Sequence, residues 1–375
     1  MPRLPAVICA AVGALCLGPR AHSQPVDLEP GLLQDVSQPQ VAAGPGGEVH
    51  LVHLGEFAGG MAVAHRAWSG GRWGDEEIVS ASGGSLFDPQ VTVSADGTVH
   101  VVWSTESPAH VLHAFLRDGV WSVPANLSEG LPGASEFPSL AARPSGAVDV
   151  VWQTLAGTQF QVVHAEVAPS GRRVTMAPIS AQNPRAANRY PQVFSSPVPI
   201  VAWYEAVDGD LMLRVAEQIP GNEWRLLPVI DLLQVDLNRL PYLLLSDLGT
   251  WAALWHDAAP HHDRVLFGRG GPPGFGLGVA VDSNPEVDNV APCATSLGDD
   301  LWAIAWRAEE SEGAEIYVAV ESLDGWVQEN LSRGMTPAAA QPAAVASGGL
   351  LHVVWVSDAD AGGTGALVST TVPME

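Results

Sequence analysis

Seven copies of one pattern, about fifty residues apart, constrain the fold of this chain more than any other feature. Each copy is a proline, a short apolar strand, a turn, and a second apolar strand closed by an aromatic residue. In order they read PQVAAGPGGEVHLVH, PQVTVSADGTVHVVW, PSLAARPSGAVDVVW, PQVFSSPVPIVAW, PYLLLSDLGTWAALW, PCATSLGDDLWAIAW and PAAVASGGLLHVVW. Their prolines are Pro39, Pro89, Pro138, Pro191, Pro241, Pro292 and Pro342, separated by 50, 49, 53, 50, 51 and 50 residues. The closing residues are His53, Trp103, Trp152, Trp203, Trp255, Trp306 and Trp355. A fixed period of this length is the mark of a repeat architecture, in which each unit buries its faces against its neighbours.

Within one period the pattern predicts four short strands. In the second they are Gln90–Ser94, Thr98–Ser104, His110–Leu116 and Trp121–Ala125, separated by Asp96-Gly97, Ser107-Pro108 and Asp118-Gly119. Turn residues at these intervals, and no sustained 3.6-residue apolar period, point to strands. Four strands per unit make a β-propeller blade, so the expected fold is all-β, a seven-bladed propeller of antiparallel four-stranded blades. The second strands are apolar almost throughout, as strands buried on both faces should be. Gly 39 and Pro 30 are too numerous for a helical protein. Only 33 residues follow Pro342, about one strand short of a blade, and Val26–Val36 is a spare segment. The N-terminal strand is therefore expected to complete the last blade and remove an open sheet edge.

The start of the chain reads as a targeting segment. Arg3 precedes an apolar run from Leu4 to Leu17, and Ala21-His22-Ser23 is a small-x-small cleavage site. Residues 1–23 are expected to be a signal peptide and 24–375 one propeller domain, secreted or periplasmic. Leu15 stands where a lipoprotein signal needs a small residue before Cys16, and no stretch reaches about 18 apolar residues, so no membrane insertion is expected. With Cys9 and Cys16 removed, Cys293 stands alone as a small buried residue. The formal charge is -24 and the 17 basic residues are all arginine. Such a surface repels phosphate backbones and anionic membranes, which excludes nucleic acid as a partner.

Three stretches carry a family resemblance: LHAFLRDGVWSVPANLS from Leu112, AHRAWSGGRWGDEEIVS from Ala64 and VESLDGWVQENLS from Val320. They resemble the BNR, or Asp-box, repeats of bacterial sialidase-like propellers, whose pattern is Ser-x-Asp-x-Gly-x-Thr-Trp. Ser322, Asp324, Gly325 and Trp326 keep its residue types at shortened spacing, and Asp118, Gly119 and Trp121 keep part. The resemblance implies a folding device: the Asp caps the turn, the Gly takes positive φ and the Trp packs into the blade. Sialidases have six blades and an early Phe/Tyr-Arg-Ile-Pro motif whose arginine binds the substrate carboxylate. Seven repeats and no such motif argue against sialidase activity here.

By the same resemblance, ligands sit at one end of the central channel, among loops before the first strands and after the second strands. The candidate binding residues are Arg189, Tyr190, Tyr204, Glu205, Arg239, Tyr242, His256 and Arg307, and Gln40, Gln90 and Gln192, which like Tyr242 follow periodic prolines, are expected to face the same mouth. Arginines bind carboxylates bidentately, and tyrosines stack on sugar rings. The loop His256-Asp257-Ala-Ala-Pro-His261-His262-Asp263 has metal-ligand residue types but no established spacing. Glu309, Glu310, Glu312, Asp358 and Asp360 form acidic loops without EF-hand spacing. No cofactor is therefore expected, although the histidine loop has ligand types that suit zinc or manganese and the acidic loops ones that suit Ca²⁺. His50, His100 and His352, and His65, His113 and His164, recur at equivalent positions and read as packing residues, because a catalytic histidine is normally unique. Asn126-Leu127-Ser128 and Asn330-Leu331-Ser332 match a glycosylation sequon, but the repeat accounts for them.

The expected function is a secreted, monomeric, non-catalytic recognition module for glycans or cell-surface ligands. One alternative is a glycan-degrading enzyme. A hydrolase would draw its two carboxylates from Asp88, Glu136 and Glu205, and a lyase its base from Tyr190, Tyr204 or His256. The other is a structural propeller that docks protein.

Overall fold

The computed structural model describes residues 25–374 except 29–30, 181–185, 196–197, 209, 229, 232–241, 247, 259–261, 272–273, 276–277, 312, 323–324, 334, 336–339 and 358–364. The described residues form strands and no helix, arranged in seven antiparallel sheets. These are the seven blades, and the periodic prolines fall in or next to their first strands: Gln34–Ala43, Leu86–Val93, Ser135–Ala142, Ala186–Ser195, Tyr242–Leu245, Asp288–Gly298 and Ala340–Ser347. In blades 1, 2, 4 and 5 the outermost strand is broken into two pieces, both paired with the third strand. Blade 3 shows an uninterrupted pairing, from Val148↔Val167 to Ala156↔Gln159.

Blade 7 is completed by the other end of the chain. Val26 pairs with Ser369 and Asp27 with Val368, the Leu28 N–H donates to the Leu367 carbonyl, and Val36 bridges Gly365. The ring is thus closed by strand pairing, which leaves no unmatched blade.

The core is divided among the blade seams, and each apolar cluster spans two neighbouring blades. Val102, Val111 and Leu127 of blade 2 meet Val148, Val150 and Trp152 of blade 3. Val151 and Val162 of blade 3 meet Val201 and Trp203 of blade 4. A closing tryptophan therefore fills the seam with the preceding blade. Trp103, Trp152, Trp306 and Trp355 are fully buried. Removing such a side chain from water stabilises by roughly 1.5–3 kcal/mol or more. The fourth-strand tryptophans reach the same way: Trp121 Nε1 donates to Glu77 Oε2 (3.1 Å), Trp73 Nε1 to Ser369 Oγ (3.0 Å), and Trp326 packs edge-on to Phe267 (5.3 Å).

Repeated polar residues serve the same scaffold. The Ser128 and Ser332 hydroxyls of the two sequon-like triplets are buried and accept the N–H groups of Val111 and Ile316. Ser180 and Asp282 do this for Val162 and Val265 in two other blades. The repeated histidines pair within blades, His50 with His65 at 2.9 Å and His100 with His113 at 3.1 Å, while Asp149 takes the partner position to His164 at 2.7 Å. His65, His164 and His352 also meet a tryptophan of the adjacent blade edge-on. The clearest carboxylate-capped turn lies between first and second strands. There Asp96 accepts Ser94 Oγ (2.6 Å) and the Thr98 N–H (3.1 Å). At Asp118-Gly119 both residues have positive φ, 52° and 75°, and Asp324 lies outside the described residues.

Blade 1 departs from the rule at its closing residue, His53. Its Nε2 lies 3.0 Å from Glu76 Oε1, and Arg66 Nε lies 3.5 Å from the same oxygen. The Glu76 carboxylate also accepts the Leu33 N–H at 2.8 Å and that of Leu32. This is the seam that the N-terminal segment crosses to reach blade 7. A buried carboxylate can satisfy that segment's free N–H groups and an indole ring cannot. Burial opposes ionisation of Glu76, but the His53 hydrogen bond and charge, the Leu33 N–H and Arg66 together hold its pKa at about 2.

Candidate functional site

The first strands bound a central channel whose mouth encloses about 870 Å³. That volume lies within the range of roughly 300–1,000 Å³ common for small-molecule sites. Its wall is set by one local device repeated around the ring. In blade 2 Phe87 pairs with Ser104, but the next pair is Gln90 with Val102, so one extra residue sits on the first strand. The same bulge separates Ser37 from Gln40, Glu136 from Ser139, Arg189 from Gln192, Val290 from Cys293 and Ala340 from Ala343. Each contains the periodic proline, which has no N–H to give the ladder and is tolerated at a bulge.

The residue before each of these prolines is left-handed. Gln38, Asp88, Phe137, Tyr190, Ala291 and Gln341 have φ between 49° and 53°. For a residue with a Cβ that conformation costs roughly 1–2 kcal/mol, and glycine would remove the cost. None of the six is glycine, and all six line the channel.

Their side chains divide the wall into two halves. On the side of blades 7, 1 and 2, Gln341 Oε1 accepts the Gln38 N–H (2.6 Å) and Gln38 Oε1 accepts the Asp88 N–H (2.9 Å). Gln40 and Gln90 stand two residues further along. On the side of blades 3, 4 and 5, Phe137 and Tyr190 meet edge-to-face at 4.9 Å, beside Tyr204 and Tyr242. Amides also link these blades: Gln153 Oε1 accepts the Tyr190 N–H and Gln192 Oε1 the Leu243 N–H, both at 3.1 Å. Blade 6 contributes the small residues Ala291, Cys293 and Ala294.

The titratable groups of the wall are few. Burial raises the Asp88 carboxyl to about 6; the Ser104 hydroxyl, 3.5 Å from Oδ2, opposes the shift and the charge of Glu136 adds to it. Burial pushes the Cys293 thiol up to about 12, which leaves no thiolate nucleophile at neutral pH. Burial also raises Tyr204 well above the ordinary phenol range. Tyr242 opens half its surface to the lumen, and its hydroxyl is hydrogen-bonded to Gln192.

Of the residues selected from sequence, Tyr190, Tyr204, Tyr242 and Asp88 come together on this wall, with Gln40, Gln90 and Gln192. The described arginines do not line it. Arg189 is exposed, its guanidinium 5.0 Å from the Phe160 ring centre, and Arg307 pairs with Glu309 at 2.8 Å. Glu205 is buried in an ion pair with Arg214, its Oε2 at 2.5 Å from one guanidinium nitrogen and 2.7 Å from Nε. His256 lies 3.6 Å from Asp263, and His262 lies 3.3 Å from Asp288. Arg239, His261, Glu312, Asp358 and Asp360 lie outside the described residues. Among the described residues no three His, Cys, Asp or Glu side chains gather as a metal site would require. Sequence reasoning missed Gln38, Phe137, Gln341 and the amide links. The available signal was their shared register, one residue before each proline.

The fold and this wall define the class, a seven-bladed β-propeller with an open channel mouth that is amide-lined on one side and aromatic on the other. No protein-family model matches the chain, and no curated protein matches it. Solved structures do. A protein of unknown function from Dyadobacter fermentans superposes with a TM-score of 0.56 at 13% identity, covering 95% of this chain and 99% of that one. An ulvan lyase, a polysaccharide lyase solved with a glucuronate–sulfated rhamnose unit bound, gives 0.61 at 12% identity, covering 94% and 96%. Trypanosoma rangeli sialidase in complex with sialic acid gives 0.51 at 12% identity, covering 92% and 70%. Identities this low establish a shared propeller architecture and carry no chemistry across.

Proposed function

We propose that this protein is a glycan-recognition propeller that holds a sugar at the channel mouth without turning it over. The observation that carries the reading is the division of the wall into an aromatic half and an amide half. A pyranose offers an apolar C–H face to an aromatic ring and a rim of hydroxyls to amides and carboxylates. The presence of Gln38, Asp88, Phe137, Tyr190 and Gln341 at left-handed positions where glycine would be unstrained supports a role for those side chains. The same architecture holds saccharides in the ulvan lyase and the sialidase. Export of the chain after loss of residues 1–23, action as a monomer and binding without a resident cofactor belong to the same proposal.

A glycan hydrolase is the second reading, favoured by the raised Asp88 carboxyl beside Glu136 of the next blade. The two are separated by a glycan array run alongside a reducing-sugar release assay. Binding without release, lost in Tyr242→Ala, is the expected result. Release that disappears in Asp88→Asn would establish the hydrolase, and silence in both assays would return the protein to a docking role.

A further inference from the structure

We propose that the channel mouth selects uncharged sugars and rejects carboxylated or sulfated ones. The inference rests on the glycan-binding reading above and narrows its ligand class. Its first ground is the wall itself. Among the described lining residues there is no arginine, lysine or histidine, and the one carboxylate is Asp88. An anionic sugar entering there would meet no counter-charge among the described lining residues and one like charge in a half-enclosed site, where the repulsion is poorly screened.

The second ground is where the cations went. Arg214 is held by Glu205, Arg307 by Glu309, and Arg189 lies over the Phe160 ring. Arg269 is held by Glu321 and Arg264 by Asp282. With a net charge of -24 and no lysine to offset it, the surrounding field also repels anions approaching the mouth.

The third ground is the fit of the wall to hydroxyl groups. Gln40 and Gln90 supply both donors and acceptors, and an ionised Asp88 accepts from two adjacent hydroxyls. The aromatic half then covers the ring face, and 870 Å³ leaves room for more than one residue of a chain.

The protonation of Asp88 gives the proposal a sign. Asp88 faces Glu136 from blade 3, Ser104 on its own blade and Gln38 from blade 1. Protonation near pH 6 removes an acceptor from a neutral sugar, but removes a repulsive charge from an acidic one. Affinity for a neutral sugar should therefore fall about tenfold from pH 7 to pH 5, as the ionised fraction falls. Affinity for an acidic sugar should move the other way.

The test is calorimetric titration of the full chain with xylohexaose, cellohexaose and mannohexaose against oligogalacturonate and a sulfated oligosaccharide, at pH 5, 6 and 7. The expected result is at least tenfold tighter binding of a neutral hexaose, weakening toward pH 5, with Asp88→Asn flattening the pH profile and Tyr242→Ala abolishing binding. Equal or tighter binding of the acidic sugars overturns the selectivity while leaving the glycan reading intact. Loss of that acidic binding in Arg239→Ala would identify the cation responsible. If no oligosaccharide binds at any pH, both the glycan reading and this inference fall.

Discussion

The blade seams and the channel wall are built on the same fifty-residue period but vary in opposite ways. At the seams the side chain repeats: six of the seven closing residues are tryptophan. At the wall the backbone repeats, with six pre-proline residues within a few degrees of one φ, and the side chains differ: Gln, Asp, Phe, Tyr, Ala, Gln. A seam must fill one shape against each neighbour, so selection for packing keeps one residue. A wall presents a fixed scaffold to whatever enters, so its side chains are free to differ. Blade 1 fits this contrast, because its seam also has to anchor the incoming N-terminal segment and carries His53 and Glu76 instead of an indole.

The largest test of the contrast is acid. Burial lowers His50, His100 and His352 to about 4 and His113 to about 3. Their folded pKa values lie below the unfolded 6.5, so the unfolded chain binds more protons in that interval. The stability present above pH 6.5 is therefore lost progressively toward pH 4, at about 3 kcal/mol for each histidine. Circular dichroism should show the seams failing in that window. A fold unchanged at pH 4 would show that these imidazoles are not buried.

Next come single seam residues. Trp152→Ala should cost about 3–5 kcal/mol in chemical denaturation. Replacement by phenylalanine should distinguish two kinds of seam. Trp203 and Trp306 donate to Asn188 and Asn289 at 2.8 Å, whereas Trp152 has no hydrogen-bond acceptor. Trp203→Phe should therefore cost about 1–3 kcal/mol more than Trp152→Phe, because it leaves the buried Asn188 carbonyl unsatisfied. In blade 1, Glu76→Ala removes the buried carboxylate shared by His53, Arg66 and the Leu32 and Leu33 N–H groups, frees the N-terminal segment, and should cost about 3–5 kcal/mol. Hydrogen exchange should show residues 31–36 released first.

The wall should respond in the opposite direction. The folded pKa of Asp88 is raised, so its ionised form destabilises the native state above pH 6 and that penalty vanishes toward pH 4. Asp88→Asn should raise the melting temperature at pH 7, by roughly 1–3 kcal/mol of stability, while weakening binding. Smallest of all, Ala291→Gly trades left-handed strain for unfolded-state entropy and should change stability by less than about 1 kcal/mol. A loss of several kcal/mol would show that the wall backbone is not strained as described.

The architecture was legible in the chain's own periodicity. Seven prolines and closing residues at a constant spacing, with apolar second strands between them, report which segments are buried on both faces, and burial on both faces forces stacking into a ring. The spare Val26–Val36 segment reported the closure, because a blade lacking one strand leaves backbone groups to be paired. Three wall tyrosines were legible as well, since Tyr190 and Tyr242 flank periodic prolines and Tyr204 follows a closing tryptophan. Gln40, Gln90 and Gln192, each following a periodic proline, were legible for the same reason, but that Gln38, Phe137, Ala291 and Gln341 face the lumen came from the folded ring. A residue before proline is expected to be extended, yet here it is left-handed, and the extra bulge residue reverses the parity by which alternate side chains point to alternate faces. Partner choice was equally hidden. Arg307 and Glu205 stood at the right places in the repeat to serve a rim, but whether a charge meets a ligand or a neighbour depends on what an adjoining strand presents. Arg214 holds the buried Glu205 carboxylate, and Glu309 stands 2.8 Å from the half-exposed Arg307.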